Sequence, residues 1–74
     1  MEKHNLRVSL PYLFLWRSYC LLSITELSEK SGVARDTIIH LEHQRTQANP
    51  STIGKLSDAM GISRRQLVHE HPPE

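Results

Sequence analysis

Arg35, Asp36, Ile39, His40 and His43 fall within nine residues of one another in a 74-residue chain, at intervals that set them on one side of a helix. The guanidinium of Arg35 can fork onto guanine O6 and N7, Asp36 can accept from cytosine N4, Ile39 fits a thymine methyl and the two imidazoles can bond bases or phosphates. Each polar residue also has a plain structural role. Arg35 can be a solvated helix cation, and Asp36 in a first helical turn is favoured by the macrodipole and can hold Arg35 or His40. Ile39 has no such role, because Ile38 beside it takes the core-facing position. His40 and His43 lie three apart, yet no Cys or further His stands at ligand spacing, so neither metal nor cofactor is expected. The chain offers no nucleophile with its base and no paired carboxylates for a pocket, which excludes an enzyme and a small-molecule substrate.

The elements that must position these residues are legible in Ser23 to Glu42. Ser23 and Glu26 form a capping box, so a helix is predicted over about 24–31, with Ile24 and Leu27 inward. Gly32 ends it, since a residue without Cβ turns the chain through the left-handed region at little cost. A second helix follows over about 34–43, with Ile38 and Leu41 three apart facing the core beside Val33. This is a helix-turn-helix whose second helix is polar outward. A helical hairpin of any purpose and a reader of the DNA major groove both fit that pattern.

Length and composition bound the answer. One small domain is expected, burying about 60% of its unfolded surface. A formal net charge of +1 is low for a nucleic-acid binder, so a positive patch must come from local arrangement. The single Cys20 excludes an intramolecular disulfide and reads as a small buried hydrophobe. The sequence shows no signal peptide and no membrane-length apolar run, and a reduced, cytoplasmic protein is expected.

Residues 1–10 are read as an N-terminal arm or short strand: Met1 to Asn5 are polar and expected to be mobile, and Leu6, Val8 and Leu10 alternate with Arg7 and Ser9. Ser9 is predicted to cap a first helix over about 11–20, with Pro11 in its first turn. Tyr12, Leu13, Phe14, Leu15 and Trp16 run consecutively there and cannot all face one side. Either the arm folds over the surplus or a second subunit does. Past a polar loop ending in Asn49-Pro50, Ser51 is predicted to cap a helix over about 52–60 that buries Ile53, Leu56 and Met60 and closes on Gly61. A last helix over about 64–68, boxed by Ser63 and Gln66, precedes a tail at 69–74.

The joint spacing of these residues resembles the phage-repressor-like (Cro-like, XRE) helix-turn-helix family. The matching positions are Leu13 and Arg17, Ser23-x-x-Glu26-Leu27, Gly32-Val33, Thr37-Ile38-x-x-Leu41-Glu42, and Pro50-Ser51-Thr52 with Leu56, Ala59, Met60, Gly61, Ile62 and Leu67, spanning Leu13 to Val68. The resemblance implies an all-α, five-helix repressor-like domain over about 11–68 that binds double-stranded DNA, usually as a dimer on a two-fold site. It also implies a buried ion pair between Arg17 and Glu42. Three departures stand out. Gln44 replaces a frequent Gly, so the third helix lacks the cheap left-handed cap or takes another path. The loop to Pro50 is longer than the commonest form, and Ile24 replaces a Gln that reaches a phosphate, leaving Thr25 as the nearest polar substitute.

The reading that follows is a transcriptional regulator, expected to be a repressor, that reads the major groove with the 34–43 helix. Ala34, Arg35, Ile39 and His40 are the expected base contacts, Asp36 lies among them, and Thr25, Thr37, His43, Arg45 and Lys55 are the expected phosphate contacts. A homodimer is expected, with Tyr12, Phe14 and Trp16 at its interface. The competing reading is a protein-interaction module of the same fold, antitoxin-like or bridging, with little DNA binding of its own.

Overall fold

Ser23 Oγ accepts from the Glu26 N–H at 3.0 Å while Glu26 Oε1 accepts from the Ser23 N–H at 2.8 Å, so two donors that a helix start leaves without partners are satisfied reciprocally. In the computed structural model, which describes residues 7–73, this box opens α2 (Ile24–Ser31). The other helices are α1 (Leu13–Tyr19), α3 (Arg35–Glu42), α4 (Pro50–Met60) and α5 (Arg64–His69). Among the described residues there is no strand, only an isolated antiparallel bridge in which Val8 and Ala48 exchange N–H···O bonds of 3.0 and 2.8 Å. The expected mobility of Met1 to Asn5, and the pairing of Leu6, lie outside the described residues.

Helix α3 is one residue shorter at each end than the sequence expectation and α1 ends one residue early, and three further bounds differ. Pro11 and Tyr12 form a turn closed by Leu13 N–H on Leu10 O at 3.2 Å, and α1 begins only at Leu13, without a side-chain cap. The reason is Leu10, fully buried and held in place two residues past the Val8 bridge. Ser9 caps nothing. Helix α4 starts at Pro50 because Asn49 Oδ1, not Ser51, accepts from the Thr52 N–H at 2.9 Å, and a proline at the first helical position loses no bond it would have made. Helix α5 runs one residue into the expected tail, to His69.

Leu10, Leu13, Leu27, Ile38, Leu41, Leu56 and Leu67 are completely buried, one or two from each helix plus the turn before α1. Helix α2 packs on α3 and α4, α4 on α5, and α1 closes the assembly against α3 and α5. The indole Nε1 of Trp16 fastens that closure by donating to Glu70 O at 2.8 Å and Gln66 O at 3.2 Å, where α5 ends. Buried Trp16 therefore has a polar partner for its single donor, as buried indoles generally do.

Candidate nucleic-acid interface

Helix α3 is set on α2 by a three-residue turn held at several points. Gly32 takes φ +77° and donates to Ser28 O at 2.8 Å. The Ser28 hydroxyl donates across the turn to Val33 O at 2.7 Å, rather than back along its own helix, and Ser31 Oγ accepts from the Val33 N–H at 3.1 Å. Val33 itself is buried, so the turn is pinned by packing as well as by hydrogen bonds. This fixes the angle at which α3 leaves.

Ile38 and Leu41 are completely buried, and they orient the remainder of α3. Arg35, Asp36 and His40 are exposed, His43 beyond its last residue is exposed, and Thr37 and Ile39 are half-buried. Ala34 is exposed at the N-cap and offers no side-chain acceptor, unlike Ser23, Asn49 and Ser63 at the starts of α2, α4 and α5. The first-turn N–H groups of α3 thus have no side-chain cap, an arrangement suited to a phosphate oxygen. Sequence reasoning missed this, although the absence of Ser, Thr, Asp or Asn before Arg35 was there to be read.

The remaining candidates stand at different distances from that surface. Thr25 is exposed in the first turn of α2, which packs on α3, and Arg45 is exposed in the loop that follows α3. The Arg45 N–H donates to His40 O at 2.8 Å, which brings the loop back under the end of the helix. Lys55 is exposed on α4, which packs on α2 and α5.

Arg17 and Glu42 hold the far end of α3. Arg17 donates through Nε to Glu42 Oε2 at 2.6 Å and through Nη2 to Glu42 Oε1 at 3.0 Å, a two-pronged pair whose side chains are 13% and 7% exposed. Nη1 donates to Leu22 O at 3.0 Å, so one guanidinium joins α1, the turn before α2 and the last residue of α3. The hydrogen bond to Glu42 raises the Arg17 pKa above its ordinary value, burial opposing it and the charge of Glu42 adding to it. A base with a raised folded pKa keeps its full stabilising effect below the ordinary value and loses it only as pH climbs through the raised one. Neutral and mildly alkaline solutions therefore leave the cationic half of the pair intact.

The expected interface residues do not form one patch. Trp16 is only 3% exposed and bonded to the end of α5, which removes it as a contact surface, and half-buried Tyr12 meets the His71 ring edge-on at 6.0 Å. Phe14 is 52% exposed, with the Arg17 guanidinium 5.3 Å from its ring centre. Leu15, Tyr19 and Leu21 are the other exposed large apolar residues among those described, and Leu15 and Tyr19 line a separate hollow with His71, Pro72 and Pro73.

Among the described residues, no group of three or more His, Cys, Asp or Glu side chains is placed to hold a metal ion, and no helix is long and apolar enough to cross a membrane. The helix-turn-helix family model HTH_3 matches residues 20–67. A chain of the solved SinR protein/SinI protein complex has the same fold with a TM-score of 0.69 at 30% identity, over 78% of the present chain and 57% of that one. The present chain thus spans little more than half the length of that relative. No curated protein sequence matches it.

Proposed function

This chain belongs to the XRE-type helix-turn-helix family of DNA-binding regulators, and from that membership we propose that it is a sequence-specific repressor that reads duplex DNA with α3. The observation that carries the reading is the division of α3: Ile38 and Leu41 are completely buried while Arg35, Asp36 and His40 face solvent. A helix so divided can enter a major groove with its polar side forward. In this reading Ala34, Arg35, Ile39 and His40 meet base edges, with Asp36 beside them. Thr25, Thr37, His43 and Arg45 meet phosphates, helped by the uncapped first turn of α3. Lys55, on α4, is the remaining candidate for a phosphate.

The chain acts as a homodimer in this proposal, because one short helix with few basic neighbours binds weakly and two on a two-fold frame cover half-sites about one helical turn apart. Phe14, the exposed member of the expected interface set, is the candidate for that contact in place of buried Trp16. Selection of bound fragments from random duplex DNA tests the proposal. A two-fold consensus is expected, and an unordered pool at physiological salt would remove it.

One observation favours a second reading, an interaction module of the same fold. Phe14, Leu15, Tyr19 and Leu21 are all at least 44% exposed, more apolar surface than a DNA-binding role needs. The similar chain was solved in a complex of two differently named proteins. An unordered pool in the selection would favour this alternative.

A further inference from the structure

Away from α3, the start of α4, the residues after it in α5 and the bridged segment at Val8 enclose an open cleft of about 440 Å³. Its floor is apolar, made by Val8, Pro50, Ile53 and Val68, and its rim carries the guanidinium groups of Arg64 and Arg65 with the His69 ring beside them. Arg64 is placed by a gap in α4. A Cβ on Gly54 would lie 2.6 Å from Arg64 Nη2, 3.1 Å from Nε and 3.2 Å from Cζ, so the guanidinium rests flat against the α4 backbone where any other residue would push it off. A glycine inside a helix is less favourable than alanine. What the chain gains at Gly54 is the position of Arg64.

Arg65 is 3.9 Å from Glu70, with both side chains largely exposed. Exposed pairs of that kind contribute little and exchange readily for another carboxylate. An apolar floor under a cationic rim is complementary to carboxylates flanking an apolar side chain. A DNA backbone would engage the rim and leave the floor uncovered, and α5 packs on α4 and α1 while α3 packs on α2 and α1. The cleft is too open to enclose a small molecule, whose sites commonly bury most of the ligand surface.

We propose that this cleft is a docking site for an acidic segment of a partner protein that lays an apolar side chain on Val8, Ile53 and Val68 between Arg64 and Arg65. The site is independent of DNA reading by α3, so either can fail alone. The test uses the full chain, ¹⁵N-labelled, titrated with a capped Asp-Glu-Leu-Leu-Asp-Glu peptide. Shifts should centre on Val8, Ile53 and Val68, with saturation at least fivefold tighter than for the same peptide with serines in place of leucines. Arg64→Glu combined with Arg65→Glu should weaken the peptide at least tenfold. Gly54→Ala should weaken it about threefold while melting no lower than the parent, because the new methyl displaces only the flexible end of Arg64. Equal saturation by the serine peptide, the same shifts from inorganic phosphate or a random duplex at equal affinity, or no shifts at millimolar peptide would each overturn the proposal.

Discussion

Helices α2 and α4 turn off on Gly32 and Gly61, at φ +77° and +69°, whereas the same left-handed turn after α1 and α3 is made by Leu21 and Gln44, at φ +59° and +58°. The backbone pattern is shared by three of the four ends, the end of α2 sending the Val33 N–H to Ser31 Oγ instead. Leu22 N–H reaches Arg17 O after α1, Arg45 N–H reaches His40 O after α3 and Ile62 N–H reaches Ser57 O after α4, at 3.1, 2.8 and 3.0 Å. A side chain in this conformation costs about 1–2 kcal/mol that glycine avoids. What differs is the use made of the side chain and the support around it. Gln44 Nε2 donates to Leu10 O at 3.3 Å, tying the end of α3 to the turn before α1. Leu21 is 89% exposed and gives nothing back to the fold. Both strained ends are held together by Arg17, which bonds Leu22 O beside one and the Glu42 carboxylate before the other. The glycine ends need no such brace, and the α1 and α3 ends depend on it.

If that contrast is right, removing the brace produces the largest effect. Glu42→Gln leaves a mostly buried guanidinium without its counter-charge, and a loss of about 3–5 kcal/mol in urea unfolding is expected, much of the stability of a small domain. A variant that unfolds with the parent would show that the strained ends stand unaided. Next in size, Gly61→Ala puts a Cβ into the left-handed region with no atom within 4 Å of it, so only backbone strain is added. Its cost should be about 1–2 kcal/mol. The smallest effects come from removing strain where it already exists. Leu21→Gly should stabilise by about 0.5 kcal/mol, the relief exceeding the added freedom of the unfolded chain. Gln44→Gly gains the same relief and loses the bond to Leu10, worth about 1 kcal/mol. It should therefore fall below Leu21→Gly in the same melts, and the reverse order would break the comparison.

The contrast also explains what could be read from the sequence. Ser23 with Glu26, Ser63 with Gln66, and the glycines after α2 and α4 are local signals, and they locate α2, the end of α4 and the start of α5. The misplaced starts were settled by neighbours the local pattern does not contain. Leu10 is buried under residues far along the chain, and Asn49 outcompetes Ser51 because Pro50 tolerates the first helical position. Trp16 illustrates the limit well. Its apolar neighbours suggested a surplus, but its donor is met by carbonyls at Gln66 and Glu70, whose position depends on how α5 folds back. At the candidate interface, the outward set on α3 followed from the periodicity of Ile38 and Leu41. The left-handed Gln44 did not, because nothing local favours it, and the partner that compensates it lies 34 residues earlier.

The exposed Leu21 is unfavourable both in conformation and in hydration. Phe14 lies within α1 and Leu21 two residues past its end, and both are exposed. Stabilisation by Leu21→Gly accompanied by weaker dimerisation would join the two observations.

Duplex binding of Arg35→Ala and Arg45→Ala, compared across sequences and salt concentrations, tests the central claim that α3 reads bases. Arg35→Ala should lose about 1–3 kcal/mol per half-site on the preferred duplex and tolerate substitution at one base pair. Arg45→Ala should weaken all duplexes alike and reduce the salt slope by about one. Two variants that differ in this way would locate recognition on the exposed side of α3. Equal losses with the same salt effect and unchanged base preference would show only electrostatic attraction and contradict the account.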